Sequence, residues 1–256
     1  MSVAAGGYLD GTAWAAGPDR VYGLLADAAM GLLPGDLSGV LALDAGAGTG
    51  AVARALRRRG ARTVSSDLSP AMLAAGPAPA FAADIRSLPL GDGTIDLAVA
   101  AMVLSHLTDP GAALAELVRV TRPGGTVLAT AFPAGPGHPV AVAANRALAA
   151  QGFRAPDWYT EMKTIGEARV GTAAALHALA TSVGPVGIRV ERLAVDLGPL
   201  DAPALVGWRL GLAHVAPYLA GLDPHRRERL TVAVAEALET NRPVEPLALL
   251  VLLARR

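Results

Sequence analysis

The residues best equipped for chemistry open the stretch "LALDAGAGTGAVARAL", Leu41 to Leu56. Asp44 ends a short apolar run, and glycines follow at every second position, Gly46, Gly48 and Gly50. Such a loop brings backbone close to a ligand, because glycine has no Cβ to intrude and accepts φ > 0. Gly46-x-Gly48-x-x-Ala51 satisfies the G-x-G-x-x-G/A form of a dinucleotide loop. It suits another nucleoside cofactor equally well. Asp44 bears on the choice, since a carboxylate beside the loop would repel a pyrophosphate. Asp67, in "SSDLSPAML", accepts from ribose hydroxyls in either kind of site. Asp84 follows in "FAADIRSLPL". Each carboxylate has a plainer alternative: Asp44 as a cap on the helix after the loop, Asp67 as a cap on the next one, Asp84 as a strand terminator.

Four histidines are candidates. His106, in "VLSHLTDP", and His138, in "PAGPGHP", each follow a strand at the edge of the sheet where ligands bind. Both are candidate bases, with a structural role as the alternative; for His138 that role is a cap on the helix Pro139 begins. His214 lies off the apolar stripe of its helix and faces either solvent or a substrate cavity. His177 lies on an alanine-rich helix and reads as exposed. None has metal-ligand spacing with another His, Asp or Glu, so no metal is expected.

The elements that position these residues alternate in the first half. Val40–Leu43 has the unbroken apolar pattern of a strand buried on both faces. Residues 49–59 read as a helix and 62–67 as a strand. Ser69-Pro70 and Asp109-Pro110 are N-caps with proline at the first helical position, opening helices over 70–75 and 112–120. Strands are expected at 80–84, 95–104 and 126–132, the last after a "RPGG" turn. Strands alternating with helices give parallel βαβ units and a doubly wound sheet. The second half changes rhythm. Helices are expected over 140–150, 172–182, 202–219 and 226–238, an edge-like strand over 186–195 and an apolar strand over 246–254. The fold class is therefore α/β: a doubly wound, Rossmann-like, seven-stranded, mostly parallel sheet. Helical insertions follow strand five and separate strands six and seven. The 256 residues read as one domain: an N-terminal helical arm (1–35), a cofactor-binding core (36–132) and two helical insertions (133–185 and 199–245).

The 22 basic residues balance 22 acidic ones, which points away from a charge-driven nucleic-acid partner. There is no cysteine, so disulfides and thiol chemistry are excluded. No apolar run approaches the ~20 residues of a membrane span. The N-terminal residues lack the regions of a signal peptide, so a cytoplasmic location is expected. Lys163 is the sole lysine among many arginines, a coding bias of GC-rich bacterial genomes.

Four strings in order, "DAGAGTG", "SSDLSPAML", "AADIRSLPLGDGTIDLAVAAMVLSHLTDP" and "RPGGTV", resemble a class I S-adenosylmethionine-dependent methyltransferase of the broad ubiquinone/menaquinone-methyltransferase type. The resemblance covers roughly residues 40–130. It implies S-adenosylmethionine as cofactor, with S-adenosylhomocysteine as product. It assigns Gly46, Ala47 and Gly48 to the backbone passing the cofactor and Asp44 to the loop or the methionine end. Asp67 takes the ribose, Leu68 and Met72 the adenine face, Asp84 and Ile85 the adenine edge, and Ala100 the methionine moiety. Without the resemblance Met72 reads as core. His106 matches a position that in the family often only touches the cofactor pocket. Tyr8, Trp14 and Tyr22 are expected as a lid or as an anchor of the arm. Trp158 and Tyr159, in a loop without helical period, are expected with His214 to wall the acceptor, and Trp208 to be core. The implied activity is methyl transfer to a small apolar or aromatic metabolite, natural-product or quinone-like. A fold relative catalysing cyclisation is the alternative, and an NAD-dependent oxidoreductase survives only on the glycine spacing. The insertion before the last strand is expected to cover substrate; a homodimer interface is its competing use.

Overall fold

The computed structural model describes residues 8, 10–198, 200–240 and 245–256. Residues 1–7, 9, 199 and 241–244, which fall in the expected arm and second insertion, lie outside the described residues.

Two helices, α1 (Gly11–Ala16) and α2 (Pro18–Met30), precede β1 (Leu41–Ala45). The chain continues through α3 (Ala51–Arg58), β2 (Arg62–Asp67), α4 (Pro70–Ala74), β3 (Ala80–Ala82), β4 (Ile95–Ala101), α5 (Pro110–Val120) and β5 (Thr121–Ala131). The second half comprises α6 (Pro139–Ala150), α7 (Asp157–Glu161), α8 (Glu167–Val170), α9 (Ala173–Ser182) and β6 (Val186–Val195). After these come α10 (Ala202–Leu210), α11 (Ala216–Ala220), α12 (Pro224–Thr240) and β7 (Leu247–Arg255). The seven strands form one sheet in the order β3-β2-β1-β4-β5-β7-β6. β1 to β5 pair in parallel, and β7 runs antiparallel to both β5 and β6. The strand order reverses between β1 and β4, and the crevice at such a switch point is where ligands enter this class of sheet.

Period-two alternation sorts the strand side chains into two cores. Ala42, Leu97, Val99, Leu128 and Val251 face α2, α3, α6, α10 and α12. Leu43, Ala98, Ala100, Val127 and Leu252 face α5 and α9. The cap-plus-proline devices form as expected: Ser69 Oγ accepts from the Met72 N–H and Asp109 Oδ1 from the Ala112 N–H. The sheet is as expected from the hydrophobic pattern, mixed only at β7.

Three local expectations are corrected. The single helix over 202–219 is two, α10 and α11. The chain turns at Gly211, where a Cβ would lie 2.5 Å from Pro18 Cδ. The break carries His214 inward. The "RPGG" turn does not precede β5 but bulges within it: Ile95 pairs Thr121 while Leu97 pairs Thr126, with Gly124 at φ +76. Trp158 and Tyr159 lie on a helix, α7, followed by a π turn over Met162–Gly166, rather than in an irregular loop. Among the described residues no helix is long and apolar enough to cross a membrane.

The N-terminal helices are wedged against the second insertion. A Cβ at Gly17 would stand 2.1 Å from the carbonyl oxygen of Gly207 on α10, so the two backbones touch there. The Gly17→Ala variant must push α10 off the arm. Overpacking of a close contact costs about 1–3 kcal/mol, and urea unfolding should show a loss in that range with the slope of the transition unchanged.

Candidate functional site

The loop after β1 is held open by backbone. The N–H groups of Gly46 and Ala47 donate to Ser66 O at 2.8 and 2.9 Å, and the Gly48 N–H donates to Asp67 Oδ2 at 2.8 Å. Gly46 has φ +73, and a Cβ there would lie 2.6 Å from Val103 Cγ2. Two independent constraints, a left-handed backbone and a neighbouring side chain, thus exclude any other residue. Asp67 Oδ1 accepts from the Ser69 N–H at 2.8 Å, so one carboxylate ties the glycine loop to the start of α4. The far end of the loop is latched by α2: Asp19 accepts from Thr49 Oγ1 and from the Arg54 guanidinium.

The loop forms one wall of a cavity of about 300 Å³ at the switch point. Gly46, Ala47 and Gly48 line it together with Asp44, Asp67, Leu68, Met72, Asp84 and Ile85. The cofactor-site residues inferred from the sequence are thus brought together, with one exception. Ala100 is fully buried on the α5 side of the sheet. Alternation along β4 turns it away, and Ala101, Met102 and Val103 line the cavity in its place. Met102 has φ +56, a left-handed conformation rare for a non-glycine residue and one that collects at functional sites. Its N–H is held by Thr130 O and Oγ1. Nothing in "AAMVLSH" signals that strain.

Among the described residues, three carboxylates line this cavity and no lysine or arginine does. Asp44 is 1% exposed and accepts from the Ala53 N–H at 3.0 Å, capping α3 while also facing the cavity. The capping reading therefore holds, in a side chain that also faces the cavity. Desolvation raises its pKa to about 7. Desolvation also raises that of Asp67, against the backbone donors Ser69, Gly48 and Leu68 that favour its ionised form. Asp84 is different: Arg86, two residues on, grips both its oxygens and holds its pKa below the ordinary value. The partner stands two residues on in "ADIRS", a pair the sequence alone displays.

Aromatic rings close the other side. Tyr8, Trp14 and Tyr22 line the cavity with His106 and Leu107. Tyr8 stands edge-on to His106 and its hydroxyl lies 3.4 Å from Nε2. Burial lowers the His106 pKa to about 4, so the ring is neutral at physiological pH. Behind this layer lies a second one. Trp158 packs 6.1 Å from Tyr8, and His214 stacks on Tyr159 at 3.5 Å with Trp158 beside it. His214 is 7% exposed, with its pKa lowered to about 3 first by burial and then by Arg209. Phe153 and Arg209 join this group and were not singled out from the sequence. Trp208 is core, as expected. His138 is corrected. Its Nδ1 accepts from the Val140 N–H, its Nε2 sits 2.9 Å from Glu245 O, and it does not line the cavity, so it is a helix cap.

A doubly wound sheet with a glycine loop at its switch point and acidic groups at the ends of β1 and β2 defines a nucleoside-cofactor domain. Residues 43–129 match the methyltransferase domain family, and this part of the chain is similar to class I S-adenosylmethionine-dependent methyltransferases. Over 98 residues the chain is 43% identical to a malonyl-[acyl-carrier protein] O-methyltransferase of Serratia marcescens, covering 36% of this chain and 38% of the relative. Over 127 residues it is 37% identical to a demethylmenaquinone methyltransferase of Mycolicibacterium paratuberculosis, covering 48% and 54%. The chain thus spans about half or less of the length of these relatives. The fold is similar to that of Haemonchus contortus phosphoethanolamine N-methyltransferase 2 in complex with S-adenosyl-L-methionine. The TM-score is 0.55 at 19% identity, covering 91% of this chain and 52% of that one.

The raised Asp44 pKa has a consequence for stability. The folded state keeps the proton up to about pH 7, whereas the unfolded chain releases it near 4. Between those values the folded state binds more protons, so this group's contribution to stability falls as pH rises. Without ligand, the wild type should lose on the order of a few kcal/mol between pH 4 and 7.5 relative to Asp44→Asn, which keeps an acceptor for the Ala53 N–H. Chemical unfolding of both proteins across that range measures the difference.

Proposed function

We propose that the protein transfers the methyl group of S-adenosylmethionine to a small metabolite with an apolar or aromatic body. One observation carries the reading: the cofactor cavity is lined by three carboxylates and, among the described residues, by no lysine or arginine. A dinucleotide pyrophosphate would meet uncompensated repulsion there, whereas a sulfonium and an ammonium are attracted. The glycine cradle fits too, because it leaves room for a ligand to lie against backbone.

In this reading Gly46, Ala47 and Gly48 carry the cofactor along their backbone. Asp44 faces its methionine end, and an ammonium there favours the ionised carboxylate. Asp67 has lone pairs left after its two backbone bonds and takes the ribose hydroxyls. Leu68, Met72 and Ile85 flank the adenine, and Asp84 accepts from its amino group. Met102 and Val103 do beside the methionine what Ala100 was expected to do. When bound, the cofactor supplies an electrophilic methyl on a neutral leaving group. The chain's part is alignment, worth up to ~7–11 kcal/mol when two reactants are held in line. Tyr8, Trp14 and Tyr22 exclude water from the acceptor side. Trp158, Tyr159 and His214 form the outer wall, with the helical insertion as its cover. Neutral His106, its Nε2 beside the Tyr8 hydroxyl, is placed to receive a proton from an acceptor O–H or N–H at the cavity's inner end.

Calorimetric titration tests the reading. S-adenosylhomocysteine should bind the purified protein and NAD should not; NAD binding without S-adenosylhomocysteine binding would overturn it. Loss of a charged hydrogen bond in Asp67→Ala should weaken S-adenosylhomocysteine binding by about 1–3 kcal/mol. A labelled-methyl assay on cell extract then identifies the acceptor.

A further inference from the structure

Arg209 is a buried cation with no carboxylate beside it. It leaves the last turn of α10 and is 4% exposed. One guanidinium nitrogen donates to Asn145 Oδ1 at 2.9 Å, and the group lies 5.1 Å from the centre of the Trp208 ring. The Tyr159 hydroxyl is its other polar neighbour. Its Nε is buried and makes no hydrogen bond. Among the described residues it forms no ion pair, and the residues outside them include no aspartate or glutamate.

The other buried charged groups escape this predicament. Glu167 is paired with Lys163. Asp44 can take up a proton, but an arginine cannot shed its own under any physiological condition. A guanidinium held out of water without a counter-charge costs several kcal/mol, and a chain selected only for stability would place a hydrophobic residue there.

The position gives that cost a use. Tyr22, which lines the cavity, lies within electrostatic range of Arg209. Tyr159 faces it from the outer aromatic wall and stacks on His214. The guanidinium does not itself line the cavity; it lies behind Tyr22, which does, and beside Tyr159 of the outer wall. Its free donor belongs to a planar fork that matches a carboxylate with two parallel bonds.

We propose that the methyl acceptor carries a carboxylate on its apolar or aromatic body and that Arg209 binds it. This rests on the methyl-transfer reading and narrows its substrate class. The aromatic wall desolvates the pair, which strengthens it. With the anion anchored at Arg209, the rest of the acceptor extends past Tyr22 toward the cofactor, and its nucleophilic atom reaches the His106 end. An uncharged analogue would leave the guanidinium buried and unpaired, so recognition would discriminate against it.

Benzoate and its neutral isostere benzamide are the probes. Each is titrated into protein saturated with S-adenosylhomocysteine, followed by calorimetry and by the fluorescence of Trp208 beneath the guanidinium. Wild type should bind benzoate more tightly than benzamide by roughly ten- to a hundredfold, the range of one charged hydrogen-bonded contact. Arg209→Met should abolish the preference and leave S-adenosylhomocysteine affinity unchanged. Its melting temperature without ligand should equal or exceed that of wild type. Arg209→Lys keeps the charge and loses the fork, and it should bind benzoate at intermediate strength; it also decides the matter if the methionine variant does not fold. Equal affinity for the two probes, binding of neither, or a preference that survives in both variants would overturn the proposal. So would a lower melting temperature in Arg209→Met with the benzoate preference intact, which would mark a purely structural arginine. Failure of wild type to bind S-adenosylhomocysteine would instead remove the reading on which the proposal rests.

Discussion

One clamp orders the rest of the molecule: the Asp67 carboxylate accepting from the Gly48 and Ser69 N–H groups. It joins the end of β2 to the loop after β1 and to the start of α4. The loop must run with its backbone exposed to a ligand and no side chain on the side facing Val103. A segment of that kind has little packing of its own to fix it. Three restraints replace packing: the Ser66 carbonyl, the Asp67 carboxylate and the latch of Asp19 onto Thr49 and Arg54. Ordering such a loop costs about 1–2 kcal/mol of backbone entropy per residue, and these bonds are placed to offset it before any ligand arrives. The latch also makes the arm part of the site. α2 fixes the loop at one end, while α1 and Tyr8 close the cavity at the other.

Charge is distributed across the site with equal economy. In the proposed reading the cofactor side holds Asp44, Asp67 and Asp84, which line the cavity, and the acceptor side holds the buried Arg209. A cationic cofactor and an anionic acceptor would each meet the opposite sign, and each would be repelled from the other's place. His106 and His214 lie between and are neutral, since burial lowers both pKa values well below physiological pH. Neutrality there keeps two further positive charges away from a sulfonium. The aromatic layers do the complementary work of excluding water, which strengthens every electrostatic contact they enclose.

The legible part of the fold was the part built from local signals. β1 to β5 and their helices follow from period and caps, because each strand is buried by the helix next to it in sequence. The glycine loop, Asp67 and Asp84 were legible for the same reason, sitting at strand ends that the pattern locates. Ala100 was misplaced by one residue, which in a strand reverses the face. The π turn after α7, the break at Gly211 and the bulge at Gly124 were not legible. Each is imposed by an element distant in the chain: α10 is stopped where Pro18 of α2 meets Gly211, and Gly124 bonds the final residue, Arg256.

Arg209 shows most plainly why the acceptor side resists a reading from sequence. It stands on α10 beside Leu205 and Trp208, where an arginine on an amphipathic helix normally reaches solvent. Its burial arises because the arm, α6 and α12 enclose α10 together, and no window of sequence contains all four. The cofactor half of the site answers to a ligand that many chains share, so it is written in short motifs. In the proposed reading the acceptor half answers to a ligand particular to this chain, and it would be assembled from single residues of α2, α7, α10 and the turn that carries His214. Specificity of that kind is a property of packing between insertions, which is where the substrate must be sought.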